Sequence, residues 1–484
     1  MSDRHVPPGR DPRPVTPTPA TARQGLACLS LAMLLSSLGT SSANVALPTL
    51  ARELGVSFAQ VQWVVLAYLL AITVSIVGVG RLGDLVGRRR LLLTGIALFA
   101  LGSLGAGMLP FHALLVARAV QGIGAAVMMA QSVAFVAATV SPERTGRAMG
   151  TLGSLSAVGT ALGPAVGGLL IASVGWRAIF LINLPLAAVT FALARRALPA
   201  DTGTGATGRD GFDLGGTVLL ALALAAYALA MTRPPGPSAA FNLALLAGAA
   251  LALAAFVAVE RRVRTPLIRS ALLRDPVLSA SLIMSLLVST VVMATLVVGP
   301  FYLTRTLGLA SSGVGLSLAL GPVVAALTGF PAGRLVDRLG GARMSLAGLL
   351  VMSAGAGALS LLPARLGLIA YLAPIAILTM GYALFQAANT TRVMAGRPDG
   401  QRGIISGLLN LSRNLGLVSG ASALGALFAF AAGPVAVALA SPAAVANGMH
   451  VTFGAAALLL VAAAGLAQVA RDRAVTPAEN GVPL

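Results

Sequence analysis

The chain has 484 residues, of which 57% are hydrophobic and 10% charged, and its mean hydropathy is +0.91. A soluble domain is about a quarter charged, and here apolar runs of roughly 18 residues or more recur with no charged helices to cover them, so a polytopic membrane protein is expected. The net charge of +19 comes with 33 basic residues that are all arginine. They fall in short loops between apolar runs, which points to membrane topology and away from nucleic-acid binding.

Residues 1–24 are polar and proline-rich and read as a disordered cytoplasmic tail. The first apolar run is full length, so it is expected to be an uncleaved anchor. Apolar runs fall at 26–47, 61–80, 91–110, 113–135, 149–172, 177–194, 214–231, 241–259, 277–301, 312–331, 344–362, 366–388, 404–431 and 449–470, which is fourteen expected spans. With the N-terminus placed in the cytoplasm, 26 arginines fall on that side and 5 on the other, while Arg118 and Arg413 lie within spans. This bias puts both termini inside. Spans seven and eight sit between a polar linker and a basic surface segment. The expected organisation is a six-helix half over 25–196, a linker with two inserted helices over 197–276, a second six-helix half over 277–470, and a cytoplasmic tail over 471–484.

The first span contains Cys28, the sole cysteine, which excludes an intramolecular disulfide and a cysteine metal cluster. It reads as a packing residue. After the second span comes Gly80-Arg81-Leu82-Gly83-Asp84-Leu85-Val86-Gly87-Arg88-Arg89-Arg90. So much charge forces the chain out of the membrane. The formal G-x-G-x-x-G of residues 78–83 ends a membrane helix, where a dinucleotide site would need a strand before it. Asp84 and Arg88, four apart, can pair if the turn is helical, and the other arginines suit the anionic lipid headgroups. A weaker copy starts 253 residues later at Gly333 and includes Asp337. A charged turn used twice implies two related halves.

Span four carries Arg118 with Gln121 close by, and an arginine within a span is a functional residue by default. In span five, Gly159, Gly163 and Gly167 recur every four residues and make one smooth face for close helix contact, and Pro164 removes a backbone donor and can bend the helix. Trp176 at the start of span six suits an interfacial anchor. Arg413 in span thirteen, flanked by Asn410 and Asn414, reads as a second buried cation. With Arg118 it makes a positive interior that would favour anionic or neutral molecules. None of the 14 acids lies well inside an expected span, nor does a histidine. A membrane enzyme would need such a cluster at membrane depth. A nucleotide-driven pump would need the lysine of a phosphate-binding loop, and the chain has no lysine.

The stretch from Gly80 to Arg89, the segment from Arg118 to Ala126, the Gly159–Gly168 face, the segment from Trp176 to Pro185 and the Asn44–Pro48 span end together resemble the major facilitator superfamily, in particular its fourteen-helix drug:proton antiporter branch. The resemblance covers nearly all of residues 25–470. It implies an all-α polytopic fold with two six-helix halves and two inserted central helices, working by alternating access around a midplane site. It gives Gly80, Asp84, Gly87 and Arg88, with Asp337 in the second copy, a latching role on the cytoplasmic side, though Leu85 stands where the family often has arginine. Arg118 and Gln121 would act in coupling or in recognising substrate charge, and Arg413 is grouped with them. Gly159, Gly163, Pro164 and Gly167 match the fifth-helix motif of exporters. In the family the first and fourth helices of each six line the path, which nominates Asn44, Gln131, Met293, Tyr382, Gln386 and Asn389 as substrate-binding. Gly39 stands where many relatives carry an aspartate, so proton coupling comes from the resemblance alone. The expected protein is a monomeric multi-pass transporter of the inner membrane, exporting small organic molecules in exchange for protons, with no cofactor, metal or nucleic acid. Import or uniport of a metabolite, and a non-transporting sensor, are the alternatives.

Overall fold

A computed structural model describes residues 19–139, 142–199, 201, 214–232, 239–260, 275–394, 399–433, 437 and 439–475. Within some helices, including residues 80–81 and 84–85, only the backbone is described. Residues 1–18 of the expected tail, 261–274 of the surface segment and the last residues from 476 lie outside the described residues.

The first helix, α1, runs Pro19–Glu53, so residues 19–24 are helical where a disordered tail was expected, and the membrane-length span within it begins at Gln24. Proline fits a helix's first turn, where no intrahelical donor is required. There follow α2 (Phe58–Val86), α3 (Arg88–Met108), α4 (Phe111–Thr139), α5 (Pro142–Ser173), the short α6 (Ala178–Leu181) and α7 (Asn183–Ala197). These pack into one bundle. Then come α8 (Leu214–Thr232) and α9 (Ala239–Glu260). A second bundle contains α10 (Pro276–Phe301), which runs into a π-helical turn over Tyr302–Thr306, then α11 (Ser311–Leu339), α12 (Gly341–Leu361), α13 (Ile369–Met394), α14 (Asp399–Ser419), a second π turn over Gly420–Leu424, α15 (Gly425–Ala431) and α16 (Pro442–Val475). Among the described residues thirteen helices are long and apolar enough to cross a membrane, and the apolar part of α5, Val158–Ser173, accounts for the remaining expected run.

The repeat seen in the charged turn extends into the packing. Helices α3 and α12 are both 21 residues long and start and end 253 residues apart. Each is preceded by a glycine at positive φ, Gly87 at 102° and Gly340 at 87°, a conformation that L side chains resist. Gly102 of α3 and Gly355 of α12, again 253 apart, both meet the backbone of the next helix. A Cβ would fall 2.5 Å from the Gln121 nitrogen in one case and 2.7 Å from the Leu378 nitrogen in the other. Lipid offers no hydrophobic drive for helix association, so close approach over small residues carries the packing.

Helices α8 and α9 pair with each other, and α8 lies on the seam between bundles. Leu220, Leu224 and Phe256 cluster with Leu70 and Val74 of α2 and with Leu415 of α14. Trp63 donates its indole N–H to Thr232 Oγ1 at 3.2 Å.

The chain alternates between two ends of the bundle. The end with the charged turns is here the arginine-rich end; the other is the far end. Among the described residues, contacts between the bundles gather at the far end. There Phe58 of α2 meets Phe301 of α10 at 4.9 Å and Phe428 of α15 at 5.4 Å, both edge to face, an arrangement favoured by the ring quadrupoles. Helices α5 and α11 touch backbone to backbone: a Cβ on Gly168 would lie 2.5 Å from Ser311 O, and one on Gly315 would collide with the Pro164 carbonyl. Toward the arginine-rich end α11 leaves Leu327, Phe330, Leu335 and Leu339 exposed.

Candidate functional site

Among the described residues Arg118 is the largest fully buried side chain. Such burial demands a partner for each donor. Its Nε donates to Val64 O at 2.8 Å, Nη2 to Gly39 O at 3.1 Å, and Nη1 to Gln121 Oε1. Gln121 in turn donates to Ser103 Oγ at 2.7 Å. The guanidinium lies 4.2 Å over the Tyr68 ring, and Tyr68 donates to Ser36 O at 2.8 Å. The arginine therefore ties α1, α2 and α4 together through neutral oxygens and a π face. Gly39 supplies only its carbonyl. A Cβ there would come 3.0 Å from the Tyr68 hydroxyl.

The charged turn is broken at Gly87: Asp84 lies in the last turn of α2, which ends at Val86, and Arg88 starts α3. The backbone therefore does not carry one continuous helical turn from Asp84 to Arg88. The Asp84 side chain lies outside the described residues, as does the surrounding of Gly80. Arg88 Nη1 donates to Ala134 O of α4 at 3.2 Å. A residue without any sequence signal completes the turn. Asp201, after α7, accepts from the backbone N–H of Arg89 at 3.0 Å and of Arg90 at 3.1 Å. It thereby satisfies two of the free donors at the start of α3. A Cβ on Gly87 would fall 2.5 Å from the Asp201 carboxyl. Arg89 adds a hydrogen bond to the Arg195 carbonyl. One turn above, Gln131 is fully buried, donates to Val79 O at 3.0 Å and fills the notch left by Gly83, where a Cβ would lie 2.5 Å from its amide.

The glycine face of α5 lies on α1. A Cβ on Gly159 would meet Leu34 O at 2.5 Å, one on Gly163 would collide with Ser41 Oγ, and Gly167 sits over Ser42. Ser41 donates to Gly159 O at 3.3 Å. Pro164 is buried, its carbonyl turned to Gly315 of the other bundle.

The residues nominated for substrate separate into two groups. Tyr382 and Gln386 on α13 are half-buried. Asn44, Gln131, Met293 and Asn389 are enclosed in this conformation. Asn44 donates to Thr40 O one turn back, and Asn389 to Ser281 O at 3.4 Å; Met293 packs in the apolar core that joins the bundles at the far end. Asp337 is exposed in the last turn of α11.

Two expectations are corrected. Arg413 is exposed, not buried. The buried side of α14 is taken up by Leu408, Leu411, Ser412, Gly416 and Val418, with Ser412 bonded to Leu282 O of α10, so helical periodicity turns Asn410, Arg413 and Asn414 the other way. Trp176 is buried rather than set at a lipid interface: it packs edge to face on Phe180, and exposed Arg177 covers it at 4.4 Å. Cys28 is buried, with its Sγ 3.5 Å from Thr190 O.

The family model of the Major Facilitator Superfamily matches residues 29–421. The chain is 32% identical over 390 residues to the multidrug resistance protein Stp of Mycobacterium tuberculosis, covering 80% of this chain and 72% of that one. It is 30% identical over 445 residues to the tetracenomycin C resistance and export protein of Streptomyces glaucescens, covering 88% and 80%. Its fold matches the crystal structure of a bacterial homolog of the human lysosomal transporter Spinster, in an inward-facing and unoccupied conformation, with a TM-score of 0.68 at 17% identity over 94% of this chain and 98% of that one. With a family match over most of its length and a helical architecture to suit it, this membrane transporter belongs to the major facilitator superfamily.

Proposed function

We propose that the protein exports small organic molecules by alternating access, in exchange for protons, as a monomer of the fourteen-helix branch with both termini in the cytoplasm. The observation that carries this reading is the one-sided meeting of the bundles among the described residues. Phe58, Phe301 and Phe428 and the α5–α11 glycines close the far end, while α11 is uncovered toward the arginine-rich end. Arginine bias makes that end cytoplasmic, so the conformation is the inward-facing state of a cycle in which the two bundles are the rocking units. The names of the two relatives and the glycine–proline face of α5 support export of drug-like molecules.

The substrate class follows from α14. A stripe of Asn410, Arg413 and Asn414 in the first third of the Leu408–Ala431 span, on its arginine-rich side, is too polar to face lipid, and such a cation turns to a water-filled path. No acid lies well inside a span to offset it. Neutral and anionic molecules are therefore favoured over cations, with Tyr382 and Gln386 as further contacts. Arg118, with a partner for each of its three nitrogens within its bundle, is a fixed structural cation beside that path.

The test is a growth-inhibition panel of neutral, anionic and cationic toxic compounds, comparing deletion with overexpression. Protection is expected for some neutral or anionic compounds, and Arg413→Gln is expected to cut protection against the anionic ones about tenfold while sparing neutral ones. Protection confined to cations would reject the assignment.

A further inference from the structure

Gln62 lies near the start of α2, at the far end, and is 2% exposed. Its Nε2 donates to Ala421 O in the other bundle, 2.7 Å away and 359 residues along the chain. A carbonyl inside an α-helix is normally taken by the N–H four residues on. Here that N–H belongs to Gly425, and the π turn over Gly420–Leu424 directs it to Gly420 O and Ser422 O instead. Ala421 O is thereby released for another donor, as π turns at functional sites allow. The amide of Gln62 then occupies the place where a side chain on residue 425 would start: a Cβ on Gly425 would collide with Nε2. The neighbouring Trp63 is held to Thr232 of α8, so the start of α2 is fixed on two sides. The π turn, the missing side chain at 425 and the buried amide make one fitted joint.

We propose that Gln62 is a positioning residue of the transport cycle: its hydrogen bond to Ala421 holds the far end shut in the inward-facing state and breaks when that end opens. The inference rests on the alternating-access reading above. The aromatic seal beside it is apolar and tolerates sliding, whereas a hydrogen bond to one carbonyl fixes the register of α2 against α14 and α15. Removing the donor leaves a buried carbonyl unpaired in the closed state only, so the balance shifts toward the far-end-open state.

The experiment uses Val45→Cys in a full-length Cys28→Ala chain. Val45 is 3% exposed and lines, with Phe301 and Val314 of the other bundle, a cleft of about 160 Å³ at the far end. A membrane-impermeant maleimide added outside cells reads how often that cleft opens. Gln62→Met, which keeps the volume and removes the donor, is expected to raise the labelling rate about tenfold. Gly425→Ala, which displaces the amide, is expected to do the same, yet to add nothing in a Gln62→Ala background, where no amide remains to be displaced. The level of inserted, monodisperse protein should stay constant throughout, and if Gln62→Met fails to insert, Gly425→Ala provides the reading on its own. Phe58→Ala, which breaches the aromatic seal, separates the two levels of the argument. Faster labelling in Phe58→Ala but not in the Gln62 or Gly425 variants would overturn the joint alone. No labelling in any variant would overturn alternating access itself.

Discussion

Arg118 shows how an intramembrane charge is held without a counter-ion. Two backbone carbonyls and one amide oxygen from three helices accept its protons, and Tyr68 covers its face. The geometry uses the fork of a guanidinium, which an ammonium cannot reproduce. Arg118→Lys should therefore lower the stability of the purified protein by about 2 kcal/mol and reduce transport at least tenfold, measured by thermal unfolding in detergent and by vesicle uptake. Full activity in Arg118→Lys would mean that charge alone suffices. Asp201 works at the same scale. Asp201→Ala frees the Arg89 and Arg90 amides and should cost about 1 kcal/mol, whereas Asp201→Asn, which keeps an acceptor, should cost less. Arg118 was legible in the sequence because charge within an apolar run is rare. Asp201 and Gln62 were not. Their partners are backbone groups more than a hundred residues away, and backbone groups have no sequence signature. The same limit hid the packing of Gln131: the Gly83 notch and the Val79 carbonyl that hold its amide are backbone features.

Among the elements, α5 repays its spacing. Glycines at every fourth position lay one helix face on α1, and Ser41 fills the space at Gly163. A methyl group there overpacks the contact, so Gly163→Ala should destabilise the protein by about 1–3 kcal/mol. Combining it with Ser41→Gly should recover most of that loss, because the two changes act on one volume. A strictly additive result in thermal unfolding would place the clash elsewhere. Span positions and the charged turns were readable from hydropathy and arginine alone. The orientation of α14 was not: an arginine within a span reads as buried until the helix's buried face is known, and that face depends on α10 and α2. The π turns were equally hidden, since no residue type in Gly420–Leu424 demands one.

For the whole molecule, the 253-residue repeat links sequence to mechanism. It begins as two similar charged turns and continues as two 21-residue helices, each after a glycine at positive φ and each pressed against its successor. Two bundles built on one plan, meeting at one end, can exchange which end is closed. The most direct test is transport itself: everted membrane vesicles energised to be acid inside and offered a neutral or anionic compound against which the protein protects. The expected result is accumulation inside the vesicles that collapses on adding a protonophore and falls to background with Arg118→Ala. Accumulation that persists at full rate without a proton gradient, or movement only in the opposite direction, would contradict proton-driven export.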